Sequence, residues 1–326
     1  MGKNKLTQRI VGFIEEKRAV GYKYDSEARM LGTFSRFLHD NYPDSETLTM
    51  EIVLSWLSSS KAKAKSLQNK AVIMRELSRY LNRNGIQAYE VPMEMLPKRV
   101  PPIPFVFDDD QLGRFLAETD KCCYCQEVPL RHKVMPVFFR LMAYNGLRLT
   151  EETMIHIGDV DFDSGVIVLK HTKHDRERQI VVHPNLMSRI RQYRETCLPN
   201  AGPDDYLFPG YKGRPMTKWN VYHNFRRFLW AAGISHPGRV AEGKQSAPCV
   251  HSLRHTFCVN CIRKWSKEGK NIMAYMPVLQ AWLGHVQLSD TLYYLHLTTS
   301  LHPDIIKVEE DWLSDIIPTL SHEDDE

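Results

Sequence analysis

The sequence has no uninterrupted apolar run approaching the roughly 20 residues that a helix needs to cross a membrane. That absence argues against a membrane protein. Its N-terminus, MGKNKLTQRIVGFIEEKRAVGY, carries charges throughout its apolar positions and does not read as a secretory leader. The expected location is therefore the cytoplasm. A Walker-type glycine loop is also missing, so no nucleotide-triphosphate chemistry is signalled. There is no internal repeat and no long low-complexity stretch, which removes solenoids and fibres from consideration. Cysteine is sparse, at seven residues. Cys122 with Cys125 and Cys258 with Cys261 form two C-x-x-C pairs, and a zinc-dependent protein built on them is one reading. The second pair lies in HTFCVNCIRKW, which reads as a single helix, and no ribbon or finger pattern surrounds either pair. Core packing is favoured for these thiols, and disulfides are not expected in a cytoplasmic chain.

What is present is enough for two domains: 326 residues with the apolar and charged content of a globular protein. The net charge of +4 conceals an asymmetry. Residues 307–326 hold eight acidic side chains and one lysine, a balance of −7, which leaves +11 for the remainder. A basic body with an acidic tail points to a polyanionic partner.

Up to residue 96 the pattern is helical. LTQRIVGFIEEKRAVGY, DSEARMLGTFSRFLHDNYP (with Asp25 as N-cap), TMEIVLSWLSSS and KSLQNKAVIMRELSRYLNRNG read as four helices. In the fourth, Val72, Ile73, Leu77 and Leu81 are expected to form the apolar face, while Lys65, Lys70 and Arg75 lie elsewhere on it and KAKAK (Lys61, Lys63, Lys65) precedes it. PKRVPPIPFV, residues 97–106, is a stiff proline-rich linker. Beyond it, helical segments return, with Thr150 as an expected N-cap. The period then changes to two in GVIVLKHTK and RQIVVH, with DVDF as a third strand, before helices resume at Trp219. The expected class is mainly α with a small antiparallel β-sheet in the C-terminal domain.

Four segments concentrate residues able to handle a phosphodiester: NGLRLTEE, HTKHDRER, HSLRHTF and LGHVQLSDTLYY. A phosphodiester is anionic and repels nucleophiles. Paired guanidiniums neutralise its oxygens, forking onto them and staying charged. A tyrosine, with a pKa of about 10, is a weak nucleophile at neutral pH and needs those charges and a base.

Here the sequence resembles the tyrosine recombinase (phage integrase) family. GLRLTEE is similar to the family's first arginine box, HSLRHTF to its His-x-x-Arg box, and LGHVQLSDTLYYLH to its Leu-Gly-His box. YLFPGYKGRPMT resembles its Leu-Phe-Pro stretch. The family's nucleophile lies nine residues after the Leu-Gly-His histidine, which selects Tyr294 over Tyr293. Its hairpin lysine lies five residues before an arginine that opens the next strand, which selects Lys173 (before Arg178) over Lys170. The resemblance covers about 107–298. It implies Arg148 and Arg254 on the scissile phosphate, with Glu151 in support. It also implies His251 as base, His285 bonded to a phosphate oxygen, Lys173 as acid and Tyr294 as nucleophile. Tyr293 is expected to pack, and His255 to be a structural residue of its helix.

The implied activity is site-specific cleavage and rejoining of DNA through a 3′-phosphotyrosyl intermediate, integrating or excising a mobile element in a prokaryotic cytoplasm, at the nucleoid. No metal or other cofactor is needed, because the guanidiniums supply the electrostatics and the ester conserves the bond energy. Residues 1–96 would be a core-binding domain, with Lys61, Lys63, Lys65, Lys70 and Arg75 as DNA contacts. The catalytic domain would run over 107–326. Its tail, about 303–318, would be an amphipathic helix (Ile305, Val308, Trp312, Leu313, Ile316 and Ile317) docking on a neighbouring protomer. The implied partners are double-stranded DNA core sites, three further copies in a synaptic homotetramer (a monomer or weak dimer when free), and an accessory DNA-bending or directionality factor. The alternatives are a type IB topoisomerase, which uses a similar residue set, and a catalytically inactive DNA-binding relative.

Overall fold

The computed structural model describes residues 5–59, 64–92, 94, 103–170, 177–237 and 245–301. Its contacts divide the chain into two units, Met1–Pro101 and Pro102–Glu326.

In the first unit, four helices follow from apolar residues spaced three and four apart: α1 (Lys5–Ala19), α2 (Asp25–Asn41), α3 (Met50–Ser58) and α4 (Ala64–Arg83). Leu6, Ile10 and Phe13 of α1 meet Leu31, Phe34 and Leu38 of α2, Val53 and Trp56 of α3, and Met74, Leu77 and Leu81 of α4 in one core. Two expectations are corrected here. Val72 is 41 % exposed, and Ala71 and Met74 face inward instead. Val72 lies five residues before Leu77, about 140° around the helix from it. Asp25 is the first residue of α2 rather than its cap, because Tyr24 takes the cap position in a left-handed conformation.

In the second unit, Asp108 and Gln111 close a capping box on α5 (Asp109–Asp120). The apolar run 134–143 becomes α6 (Arg131–Asn145), buried nearly all round. The short α7 (Leu149–Glu152) follows, capped by Arg148, so Thr150 lies inside it. Next come β1 (Val160–Asp161), β2 (Val166–Leu169) and β3 (Arg178–Val181), antiparallel in that order. Ile167 pairs with Ile180 and Leu169 with Arg178, and Ile167, Leu169 and Ile180 are buried on one face. The remaining helices are α8 (Pro184–Cys197), α9 (Lys218–Ala231), α10 (Val250–Lys267), α11 (Ile272–Leu283) and α12 (Ser289–Leu301). Phe115, Phe138, Phe139 and Phe225 centre the larger core. A smaller core joins α10, α11 and α12 through Cys258, Ile262, Met276, Leu279 and Tyr294. Ile103 pairs with Gln245, and Phe105 and Val106 pack on this unit's cores, so these residues of the proline-rich stretch belong to the second unit. The architecture is mainly helical with one small antiparallel sheet, as expected from the sequence.

Candidate active site

The Gly-Leu-Arg and Leu-Gly-His boxes are both built on helix ends. α6 stops at Gly146, which has a φ of 62°. A Cβ there would lie 2.4 Å from the Phe257 ring, so only glycine fits. The turn brings Arg148 to the start of α7, where its backbone N–H donates to Glu151 Oε2 at 2.9 Å and its Nη1 to Oε1 at 2.7 Å. α11 stops at Gly284, with a φ of 63°, and a Cβ there would meet Arg178 Nη1 at 2.9 Å. Gly284 offers its carbonyl to Arg148 Nη2 at 3.3 Å.

Glu151 also receives Arg178, through Nη1 at 2.9 Å and Nη2 at 2.8 Å, and Arg178 Nε donates to the Trp282 carbonyl at 2.7 Å. Burial pushes the Glu151 carboxyl up, but Arg178 and then Arg148 overcome it and hold the group down at about 2. Next to it, Glu152 is fully buried with neither side-chain oxygen hydrogen-bonded. Burial, then the Glu151 charge, raise its pKa well above the ordinary value.

Arg254, on α10, is only 1 % exposed. Its Nη1 donates to the Gly146 carbonyl at 2.7 Å, its Nη2 to the Leu283 carbonyl at 2.9 Å, and Nη2 lies 3.0 Å from His285 Nε2. One guanidinium thus ties together the turns that carry Arg148 and His285. Three guanidiniums (Arg148, Arg178 and Arg254) surround one ionised carboxylate, which leaves two positive charges in excess.

The histidines do not add to that charge. Burial, then Arg254 and Arg148, lower both His251 and His285 to about 4. His251 is nonetheless exposed to solvent. His255, one turn on, contacts the His251 ring edge-on at 4.6 Å and the Tyr294 ring at 5.7 Å. Its Nδ1 is buried without a hydrogen-bond partner, and burial lowers its pKa to about 3.

Tyr294 is 4 % exposed, and its ring lies parallel to that of His285, 6.2 Å away at 6°. Burial and then Cys258 raise its hydroxyl above the usual 10, while Arg254 opposes them. Tyr293, expected to pack, is corrected: it remains 41 % exposed, with its ring in a T-shaped contact with that of Tyr294 at 5.7 Å. The 100° step along α12 that brings Tyr294 inward turns Tyr293 outward.

Arg148, Glu151, His251, Arg254, His285 and Tyr294 are therefore drawn together. Lys173 lies outside the described residues, as do Lys61 and Lys63, the side chain of Lys65, and residues 303–318, which were expected to form the tail helix. Lys170, the lysine that fails the spacing, pairs with Asp159 at 2.7 Å. In the first unit, Lys70 sits over the Trp56 ring at 4.2 Å, and Arg75 bonds Glu90 at 2.9 Å and the Val91 carbonyl at 3.0 Å. Both are thus engaged within the unit. The two C-x-x-C pairs do not converge: all seven cysteines are free, and among the described residues no group of three or more His, Cys, Asp or Glu could hold a metal. Two residues of the site were not legible in the sequence: Arg178, as the second partner of Glu151, and Thr291, whose hydroxyl lies 2.9 Å from His285 Nδ1. The one signal for Thr291 is its place one helical turn before Tyr294.

Residues 106–300, more than half of the chain, match the model of the phage integrase family. A putative integrase/recombinase of Sinorhizobium fredii, y4rB, is 26 % identical over 313 residues, covering 94 % of this chain and 97 % of the relative. Tyrosine recombinase XerD of Vibrio cholerae is 26 % identical over 249 residues, covering 75 % of this chain and 74 % of the relative. Among solved structures, XerH site-specific recombinase bound to its difH substrate superposes with a TM-score of 0.68 at 17 % identity, covering 95 % of this chain and 98 % of the other. The Tn1549 transposon integrase in complex with circular-intermediate DNA superposes with a TM-score of 0.65 at 16 % identity, covering 89 % and 95 %. These likenesses are of fold. With the family model spanning the arginine, His-x-x-Arg and Leu-Gly-His boxes, the chain belongs to the phage integrase family, the tyrosine recombinases.

Proposed function

We propose that this protein is a site-specific DNA recombinase that cuts and rejoins strands through a 3′-phosphotyrosyl link to Tyr294. The observation that carries the reading is the charge of the site. Two uncompensated positive charges lie beside a buried, neutral tyrosine hydroxyl, ringed by imidazoles that are neutral at pH 7. Such a pocket is built to receive an anion. Arg148 and Arg254 would hold the non-bridging oxygens of the scissile phosphate, gaining most as the fifth oxygen joins the phosphorus. The arriving negative charge raises the pKa of nearby imidazoles, which makes His251 a better acceptor for the tyrosine proton. The 3′ phosphate passes to Tyr294, and the 5′ oxygen leaves with a proton assigned to Lys173. The reverse attack by another 5′ hydroxyl rejoins the strand, so neither a metal nor ATP is required by this route.

In the same reading, residues 1–96 form a second DNA-binding domain, with Lys61, Lys63 and Lys65 as its phosphate contacts. DNA affinity then falls steeply as salt rises, because each phosphate contact releases counterions. Recombination joins four copies on two duplexes, with the 303–318 segment docking between neighbours. Nicked suicide duplexes test the reading, since the short 5′ product diffuses away and leaves the protein attached. Wild-type chain accumulates the adduct, and Arg148→Ala and Arg254→Ala bind the duplex but do not. Plasmid relaxation by a monomer at unrelated sequences would instead place the chain with type IB topoisomerases.

A further inference from the structure

His285 lies between two partners whose chemistry fixes its proton. Arginine has only N–H donors, so the nitrogen 3.0 Å from Arg254 Nη2 must be an acceptor: Nε2 carries the lone pair. A neutral imidazole then holds its proton on Nδ1, which donates to Thr291 Oγ1 at 2.9 Å. Arg254, Arg148 and Arg178 face this ring and disfavour a second proton, and Asp290 alone opposes them. In the DNA-free protein, therefore, His285 shows no N–H toward the anion pocket.

A hydrogen bond from His285 to a phosphate oxygen needs that N–H on Nε2. The Nδ1 proton must leave and Nε2 must gain one, both exchanged with water. Nδ1 then becomes an acceptor and needs a donor. Thr291 is fully buried, and its hydroxyl, accepting now, can rotate and donate later. It also sits in the first turn of α12, three residues before Tyr294.

We propose that Thr291 is a positioning residue for the strand-transfer reaction: its hydroxyl switches His285 from accepting from Arg254 to donating to the scissile phosphate, and ties that switch to the helix bearing the nucleophile. The proposal rests on the recombinase reading for the second state only. The first state belongs to the free protein.

The test uses the full chain labelled with ¹⁵N-histidine, together with Thr291→Val, which keeps the shape and removes the hydroxyl, and Thr291→Ser, which restores it. The expected His285 signal in the free protein is the Nδ1–H tautomer in wild type, in Thr291→Ser and in Thr291→Val, since Arg254 still donates to Nε2 in each. On DNA, wild type and Thr291→Ser move to Nε2–H and Thr291→Val does not. On a nicked duplex that wild type cleaves, Thr291→Val forms the adduct roughly tenfold to a hundredfold more slowly at equal DNA occupancy, and Thr291→Ser is within about threefold of wild type. An Nε2–H tautomer in free wild type overturns the proposal, as does a Thr291→Val variant that cleaves at the wild-type rate. A Thr291→Ser variant as slow as Thr291→Val does so as well. If wild type forms no adduct on any duplex, the recombinase reading fails, and the tautomer result stands on its own.

Discussion

Replacing Glu151 with Gln keeps its shape and removes its charge, which tests the frame of the site directly. The carboxylate accepts four hydrogen bonds, at 2.7 to 2.9 Å, from the Arg148 backbone and from the Arg148 and Arg178 guanidiniums. Gln replaces one acceptor with an amino group that faces donors. A carboxyl whose pKa falls from its ordinary 4.5 to about 2 on folding contributes about 3 kcal/mol at neutral pH. Breaking a buried ion pair on one side costs about 3–5 kcal/mol, which agrees. A deficit of about 3 kcal/mol should lower the melting temperature by roughly 6–12 °C for a unit of this size. The folded pKa is depressed, so the contribution is complete above 4.5 and is lost as pH falls toward 2. Denaturant unfolding of both proteins at pH 7, 4 and 3 should show a gap that is widest at pH 7 and closes with acid. A gap below about 1 kcal/mol at pH 7, or one that does not change with pH, would mean that the Glu151 charge does not hold the two arginines in place.

Glu152→Leu should stabilise the protein by about 1–3 kcal/mol at pH 8, because it removes a buried, unpartnered carboxyl. The raised folded pKa of Glu152 supports the fold below 4.5 and ceases to as pH rises through the folded value, so the leucine variant should also lose that slope in denaturation against pH. Gly146→Ala should destabilise by roughly 2 kcal/mol or more, since its Cβ would strike Phe257 and its φ is left-handed; near-native melting would contradict the turn geometry. For Lys173, a substrate with a 5′-bridging sulfur, whose leaving group needs no proton, should restore cleavage to Lys173→Ala and not to Arg254→Ala. Equal loss on both substrates would remove Lys173 from the acid role.

The helices were legible because apolar spacing records which side faces a core, and the sheet because its period changes to two. Val72 shows the limit: an apolar residue inside an apolar run looks inward until the angle from Leu77 is counted. The boxes were legible because each holds its residues within a few positions and resembles a box of the family, whose spacing of nine from His285 points to Tyr294, the tyrosine that the structure buries. The partners across the fold were not. Arg178 reaches Glu151 from a strand 27 residues away, and the Arg254 bonds to Gly146 and Leu283 span 108 and 29 residues. Such contacts depend on how α6, α10 and α11 pack, which no local pattern records. His255 read as an ordinary helix residue for the same reason, since its contact with Tyr294 exists only once α12 lies against α10.

Tyr294, and no other side chain, is expected to become bonded to the 3′ end of a cleaved strand. The measurement is to trap the chain on a nicked duplex, digest both components and sequence the nucleotide-bearing peptide by mass spectrometry. The expected result is a single modified peptide with the nucleotide on Tyr294 through a 3′ phosphate, absent from Tyr294→Phe and present in Tyr293→Phe. A nucleotide on Tyr293, or a 5′ linkage at either tyrosine, would contradict it.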